Sequence, residues 1–192
     1  MKKLIFSLVL AFLMLIFTAN IYSTCPDGYR PATFIVTIGG CEYTVGFCFK
    51  CASPAPSIGL IIEYFQKNDP NCSQSISTDE LLDSLNYELD THFFLCDSCQ
   101  IPPCDEDYIV VLRTYAKCWY KENNNGTIIY HNCHTYDCCK EETWCEGPNG
   151  PEQKGAGIPY WCNQTTDCTD SEPANPRSGY STGCFHLWTP CQ

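Results

Sequence analysis

Thr33-Phe-Ile-Val-Thr-Ile38 is β-branched and aromatic, Gly39-Gly40 follows it, and Cys41-Glu-Tyr-Thr-Val-Gly-Phe-Cys-Phe49 then alternates. Tyr43, Val45, Phe47 and Phe49 fall on one face of an extended chain, and Glu42, Thr44, Gly46 and Cys48 on the other. A Gly-Gly pair tolerates the positive φ angles of a two-residue turn, so residues 33–49 read as a β-hairpin. Beyond it, Cys51-Ala-Ser-Pro-Ala-Pro-Ser57 is a Pro-rich connection, which places Cys48 at the close of its strand. Ile58 to Phe65 reads as a third strand, giving a three-stranded amino-terminal sheet.

A helix follows. Ser77-Thr-Asp-Glu80 has the Ser-x-x-Glu form of a capping box, and Leu81, Leu85, Leu89 and Phe93 recur every four residues. The helix is expected over 78–94, with Asp79 and Glu80 at the positive end of its dipole, its apolar face on the sheet, and Cys96 and Cys99 fixing its far end. Ile101-Pro102-Pro103 and the acidic Asp105-Glu106-Asp107 mark a boundary between a module of sheet and helix (24–104) and a second module (105–192). In the latter, Tyr108 to Lys121 and Thr127 to Cys133 flank Glu122-Asn-Asn-Asn-Gly126 and read as another hairpin. From Cys133 onward the hydrophobic spacing fades, and loops and short strands held by cross-links are expected. The fold class is therefore α+β and β-rich, with disulfide-stapled hairpins, one amphipathic helix and an irregular Cys-rich carboxyl-terminal region.

Met1-Lys2-Lys3 precedes an apolar run from Leu4 to Phe17, interrupted by Ser7. Fourteen helical residues span about 21 Å, short of a bilayer's hydrocarbon core of about 30 Å, so residues 1–23 read as a cleaved signal peptide rather than an anchor. A lipoprotein reading, with Cys25 acylated, needs small residues ahead of the cysteine and meets Tyr22-Ser23-Thr24. No later stretch is apolar enough to span a membrane. The whole chain carries a net charge of −11, which becomes more negative when Lys2 and Lys3 leave, and this excludes a basic nucleic-acid binder.

Export gives the 17 cysteines their meaning, because thiols outside the cytoplasm oxidise and stay oxidised. Cys25, Cys41, Cys48, Cys51, Cys72, Cys96, Cys99, Cys104, Cys118, Cys133, Cys138, Cys139, Cys145, Cys162, Cys168, Cys184 and Cys191 all lie in the exported part. Apart from them, only about 30 % of that part is aliphatic or aromatic, so cross-links must supplement the core. An odd count leaves at least one cysteine free, modified, metal-bound or paired between chains, and so allows self-association. Cys138 and Cys139, being adjacent, should each reach a different segment.

Two Cys-x-x-Cys motifs occur, Cys48-Phe-Lys-Cys51 and Cys96-Asp-Ser-Cys99. A thiol oxidoreductase stabilises its first thiolate at a helix amino terminus, whereas here one pair ends a strand and the other follows a helix, so structural bridging is the favoured reading. His131 and His134 are the weak metal candidates of the segment His131-Asn-Cys133-His134-Thr-Tyr-Asp137, although on an extended chain residues three apart project to opposite faces. The acidic turns around Asp105 and Asp167 lack a calcium-loop frame. Nucleophile-elbow, zincin and phosphate-loop motifs are missing, no residue is nominated as catalytic and no cofactor is expected. Tyr160, Trp161 and Trp188 are the candidate ligand-contacting aromatics, able to stack on a sugar or anchor a protein. Asn71, Asn125 and Asn163 match the glycosylation acceptor pattern, which has meaning only in a eukaryotic secretory route. The function expected is that of a secreted or envelope-attached, non-enzymatic protein that displays or binds a glycan or protein at the cell surface. The alternative is an extracytoplasmic thiol-redox or metal-binding protein.

Overall fold

The computed structural model describes residues 25–52, 57–73, 76–92, 99, 101–163 and 167–191. The first hairpin forms as its alternation requires. Strands β1 (Arg30–Ile38) and β2 (Cys41–Ala52) are antiparallel, Ile38 faces Cys41, and Gly39 and Gly40 take φ values of 59° and 80°. The second strand runs past Phe49, so Cys48 lies inside it rather than at its end. Lys50, Cys51 and Ala52 still find partners in Gly59, Ile58 and Ser57 of β3 (Ser57–Lys67), and the prolines break the chain only afterwards. Strand β3 pairs antiparallel with β2, and the register slips where Gly46 faces Tyr64 and Phe47 faces Ile62. Glu63 is thereby the extra residue of a β-bulge.

Helix α1 (Thr78–His92) begins at the capping box: Ser77 N donates to Glu80 Oε2 at 2.9 Å, and Glu80 N donates to Ser77 Oγ at 3.2 Å. Leu81, Leu85 and Leu89 are buried with Leu82 against the sheet. The expected last turn, Phe93 and Phe94, lies outside the described residues, as does Cys96. The helix acts as the crossover that lets β4 (Ile109–Tyr115) lie parallel to β3. The run 108–121, expected as one strand, is two. It breaks at Ala116-Lys117, where the Trp119 indole N–H caps the Ala116 carbonyl at 3.0 Å, and β5 (Cys118–Asn124) then turns to pair with β6 (Thr127–Asn132). Their turn is only Asn125-Gly126, with φ values of 52° and 96°.

Strands β7 (Cys138–Gly147), β8 (Gly150–Ala156), β9 (Tyr160–Trp161) and β10 (Phe185–His186) complete one ten-stranded sheet. The main path runs β10-β5-β6-β3-β4-β7-β8, with β2 and then β1 on the other edge of β3 and β9 on β7. Strand β3 divides its second edge: Ser57 to Ile61 pair with β4, and Tyr64 to Gln66 pair with β6. Strands from both sides of the 104/105 boundary therefore share one sheet. The carboxyl-terminal region is Cys-stapled, and it also carries the long β7–β8 hairpin, which no hydrophobic period marks.

The core lies between α1 and one face of the sheet. Val45, Phe47, Leu60, Phe65, Ile109, Val111 and Trp119 form it with the helix leucines, and Phe185 and Leu187 of the carboxyl-terminal segment close it. Eight disulfides brace this frame: Cys25–Cys48, Cys41–Cys72, Cys51–Cys99, Cys104–Cys145, Cys118–Cys168, Cys133–Cys184, Cys138–Cys191 and Cys139–Cys162. Among the described residues no helix is long and apolar enough to cross a membrane.

Candidate functional site

On the face of the sheet turned away from α1, cross-strand pairing lines up Tyr64, His131 and Tyr120 from β3, β6 and β5. The His131 ring stacks on Tyr120 with centroids 5.0 Å apart and meets Tyr64 at 6.0 Å. Burial among these rings holds the His131 imidazole below its usual pKa, against the pull of Glu122, whose carboxylate lies 3.4 Å from Nε2. The imidazoles were expected on opposite faces. Instead the chain turns at His134, where φ is 55°, and brings His134 within electrostatic reach of His131. The Tyr136 hydroxyl then links His134 Nδ1, at 3.4 Å, to Glu63 Oε1, at 3.2 Å. Glu63 is buried at the bulge, which raises its pKa. Among the described residues no three His, Cys, Asp or Glu side chains are grouped to hold a metal ion. This strip is a packed layer of aromatic and polar side chains.

Two of the candidate aromatics, Tyr160 and Trp161, point apart. Tyr160 and Trp161 are adjacent in β9, so they project to opposite faces, Tyr160 opposite Cys139 and Trp161 opposite Cys138. Both are exposed, and so is the neighbouring Ile158. The Tyr160 hydroxyl donates to Glu141 at 3.3 Å. The Trp188 ring meets Tyr115 edge to face at 6.3 Å, and its backbone N–H donates to Asp79 at the start of α1 at 2.8 Å. Tyr160 and Trp161 therefore share no face of the sheet.

Neither Cys-x-x-Cys motif closes on itself. Cys48 bonds Cys25, and Cys51 bonds Cys99, which takes one sulfur from each motif and joins the end of β2 to the segment beyond α1. Alternation explains why: residues 48 and 51 of a strand point to opposite faces. The adjacent Cys138 and Cys139 do reach apart, to Cys191 and Cys162.

Sequence reasoning missed a cavity. About 240 Å³ of space lies on the helix side of the sheet, enclosed by Tyr43, Phe65 and Lys67 of β2 and β3, Pro70, Thr78 and Leu81 at the start of α1, Gly126, Ile128 and Tyr130 of the β5–β6 hairpin, and Asn175. The Phe65 and Tyr130 rings stack in parallel with centroids 4.6 Å apart. Around the rim the charges are already engaged. Lys67 Nζ donates to the Cys72 carbonyl at 2.6 Å, and Glu172 accepts from Lys121 and from the Tyr130 hydroxyl, both at 2.8 Å. Burial and the Glu172 carboxylate push the Tyr130 hydroxyl well above the ordinary phenol range, so it stays protonated. The walls come from five segments spread over more than a hundred residues, and no local spacing could have signalled them. The aromatic surplus was the only hint. The chain matches no family model, no curated protein and no solved structure.

Proposed function

We propose that the mature chain is an exported, non-enzymatic binding protein acting outside the cytoplasm, free or at the cell envelope, with the cavity beside α1 as its ligand site. The observation that carries this reading is the cavity itself: a concave space with aromatic walls, a few convergent polar groups and a disulfide-braced frame, which suits recognition without induced rearrangement. Cys41–Cys72 anchors the loop bearing Pro70, so one wall is covalently fixed. Eight bridges are compatible with an oxidising compartment and are foreign to a reducing one.

The test is a thermal-shift screen of the purified, oxidised chain against small sugars, amino acids, fatty acids and indoles. A binder raises Tm by mass action, and Ile128→Trp, which fills the cavity, abolishes the shift while the variant still unfolds cooperatively. Turnover of any substrate, lost on a single substitution, overturns the non-enzymatic reading. A second reading rests on exposed Ile158, Tyr160 and Trp161: a protein partner docks along β9. It requires Trp161→Ala to abolish cell-surface retention with Tm unchanged. Sixteen cysteines pair within the chain, so the seventeenth, Cys96, is the position through which self-association would run.

A further inference from the structure

We infer that β1 is a self-association edge: two copies of the chain pair β1 with β1, antiparallel about Ile35, and continue one sheet through the dimer. This contact needs no sulfur and is separate from the cavity and from any bridge through Cys96.

The geometry of the strand is the first argument. Among the described residues β1 pairs with β2 alone, which leaves its other edge open. Ile38 and Cys41 flank the two-residue turn and form a hydrogen-bonded pair, so alternation assigns the backbone groups of Val36, Phe34 and Ala32 to β2 as well. Those of Thr33, Ile35 and Thr37 then point to the open edge. Glu42 fixes this phase: it lies opposite Thr37, and its carbonyl accepts from Asn68 N at 2.9 Å on the β3 side. Thr33, Ile35 and Thr37 are exposed, Ile35 at 58 %, so the edge and its apolar residue both face solvent.

Chemistry is the second. Natural sheets blunt a free edge with proline, charge, a bulge or brevity. Strand β8 also pairs with a single strand, and it carries Pro151, Glu152 and Lys154. Strand β1 is long and its register with β2 is unbroken. Ala32-Thr-Phe-Ile-Val-Thr-Ile38 holds no charge at all. The molecule guards one outer strand and leaves the other a template for pairing.

The third argument selects a second copy as the occupant. A net charge of −11 makes copies repel over most of their surface, but β1 contains no acidic residue, so two β1 strands meet without like charges opposed. Outward backbone groups must face outward groups. Pairing about Ile35 sets Ile35 opposite itself and Thr33 opposite Thr37, and each pair exchanges both of its N–H···O bonds. Phe34 then lies opposite Val36 on the α1 face. Centring on Phe34 would bring Pro31, which has no N–H, opposite Thr37, and centring on Val36 would run Thr33 into Gly39 of the turn. Because both copies use the same edge, the assembly closes at two.

Sedimentation equilibrium and amide hydrogen exchange test this on the oxidised chain, with Cys96→Ser in every sample so that the odd cysteine joins no copies. A concentration-dependent dimer is expected, tighter at higher salt because repulsion between the acidic copies is screened. The amides of Thr33, Ile35 and Thr37 should exchange fast in dilute solution and become protected as the dimer forms. Ile35→Lys places two ammonium groups face to face and should weaken the dimer about tenfold or more while the monomer still melts cooperatively. Thr33→Lys with Thr37→Glu sets opposite charges across the pairs and should keep the dimer, whereas Thr33→Lys with Thr37→Lys should dissolve it. A chain that stays monomeric to about 1 mM overturns the inference. So does a dimer indifferent to Ile35→Lys, or one equally tight in the two double variants.

Discussion

A methyl group added at Gly46 would sit 1.9 Å from Cε1 of Tyr64, the residue directly across the β2–β3 ladder. The tyrosine ring lies flat over the glycine, and the contact is with ring carbons close to the sheet, so no rotation of a flexible tip relieves it. Gly46→Ala should therefore cost about 1–3 kcal/mol, read as a lower urea midpoint with an unchanged m-value. Gly59→Ala meets the Tyr29 hydroxyl at 2.3 Å, the far end of a side chain, and should cost less. In the sequence Gly46 is only a glycine in a strand pattern; its reason is a partner 18 positions away. Asp90 is a similar case. It reads as a polar position of α1, yet it faces Arg113 of β4 at 3.2 Å in a buried layer with Lys140 and Glu142, and burial pushes its carboxyl up to about 6 despite the guanidinium. The folded state thus holds this proton more tightly than the unfolded chain, whose value is 3.8. This group's contribution to stability is full below that value and is lost as pH rises to about 6. His131 works in the opposite sense, because its lowered pKa makes folding favour the neutral ring, and stability is lost as pH falls through the unfolded value of 6.5. Comparing wild type with Asp90→Asn across this range isolates the carboxylate: the difference in Tm between them should change steadily with pH, and a constant difference refutes the assignment.

The elements most legible in the sequence are those whose evidence is local. The β1–β2 hairpin follows from alternation around Gly39-Gly40, and α1 follows from its leucine row and capping box, because all the groups that define them lie within a few residues. Ser77→Ala removes the hydroxyl that accepts from Glu80 N and should lower stability by about 1 kcal/mol. A urea titration against Ser84→Ala, a change on the same helix outside the cap, checks that the loss belongs to the cap. Strand β7 is the contrary case. Cys138-Cys-Lys-Glu-Glu-Thr-Trp-Cys-Glu-Gly147 has almost no aliphatic content, yet β4 on one side and β8 on the other satisfy its backbone, and three disulfides leave it at Cys138, Cys139 and Cys145. Its extended state is imposed by neighbours and cross-links, neither of which has a local signature. The division of 108–121 into β4 and β5 was hidden for the same reason. The run has strand propensity throughout, and only β3, pairing with β4 along one half of its edge and with β6 along the other, requires the break.

The disulfide map divides where the sheet does not. Three bridges lie wholly within residues 25–99 and five wholly within 104–191, and none joins the two groups. The halves are held together instead by the β3–β4 and β3–β6 ladders and by Trp119, Phe185 and Leu187 packed against the strands and helix of the first half. Bridges of about 2–4 kcal/mol each thus stabilise two loop networks separately, and the hydrophobic layer between α1 and the sheet has to hold them as one body. Such an arrangement has a measurable signature. A protease site engineered after Ile101 and cut in the folded protein should leave a complex that stays whole in native buffer. In denaturant without reductant it should part into two pieces, each internally cross-linked. Fragments that stay joined until reductant is added would mean that a bridge crosses the boundary, and the pairing described here would then be wrong for at least two cysteines. Parting already in native buffer would instead mean that the shared ladders and core are too weak to unite the halves, and the cavity, whose walls come from both, would lose its shape with the cut.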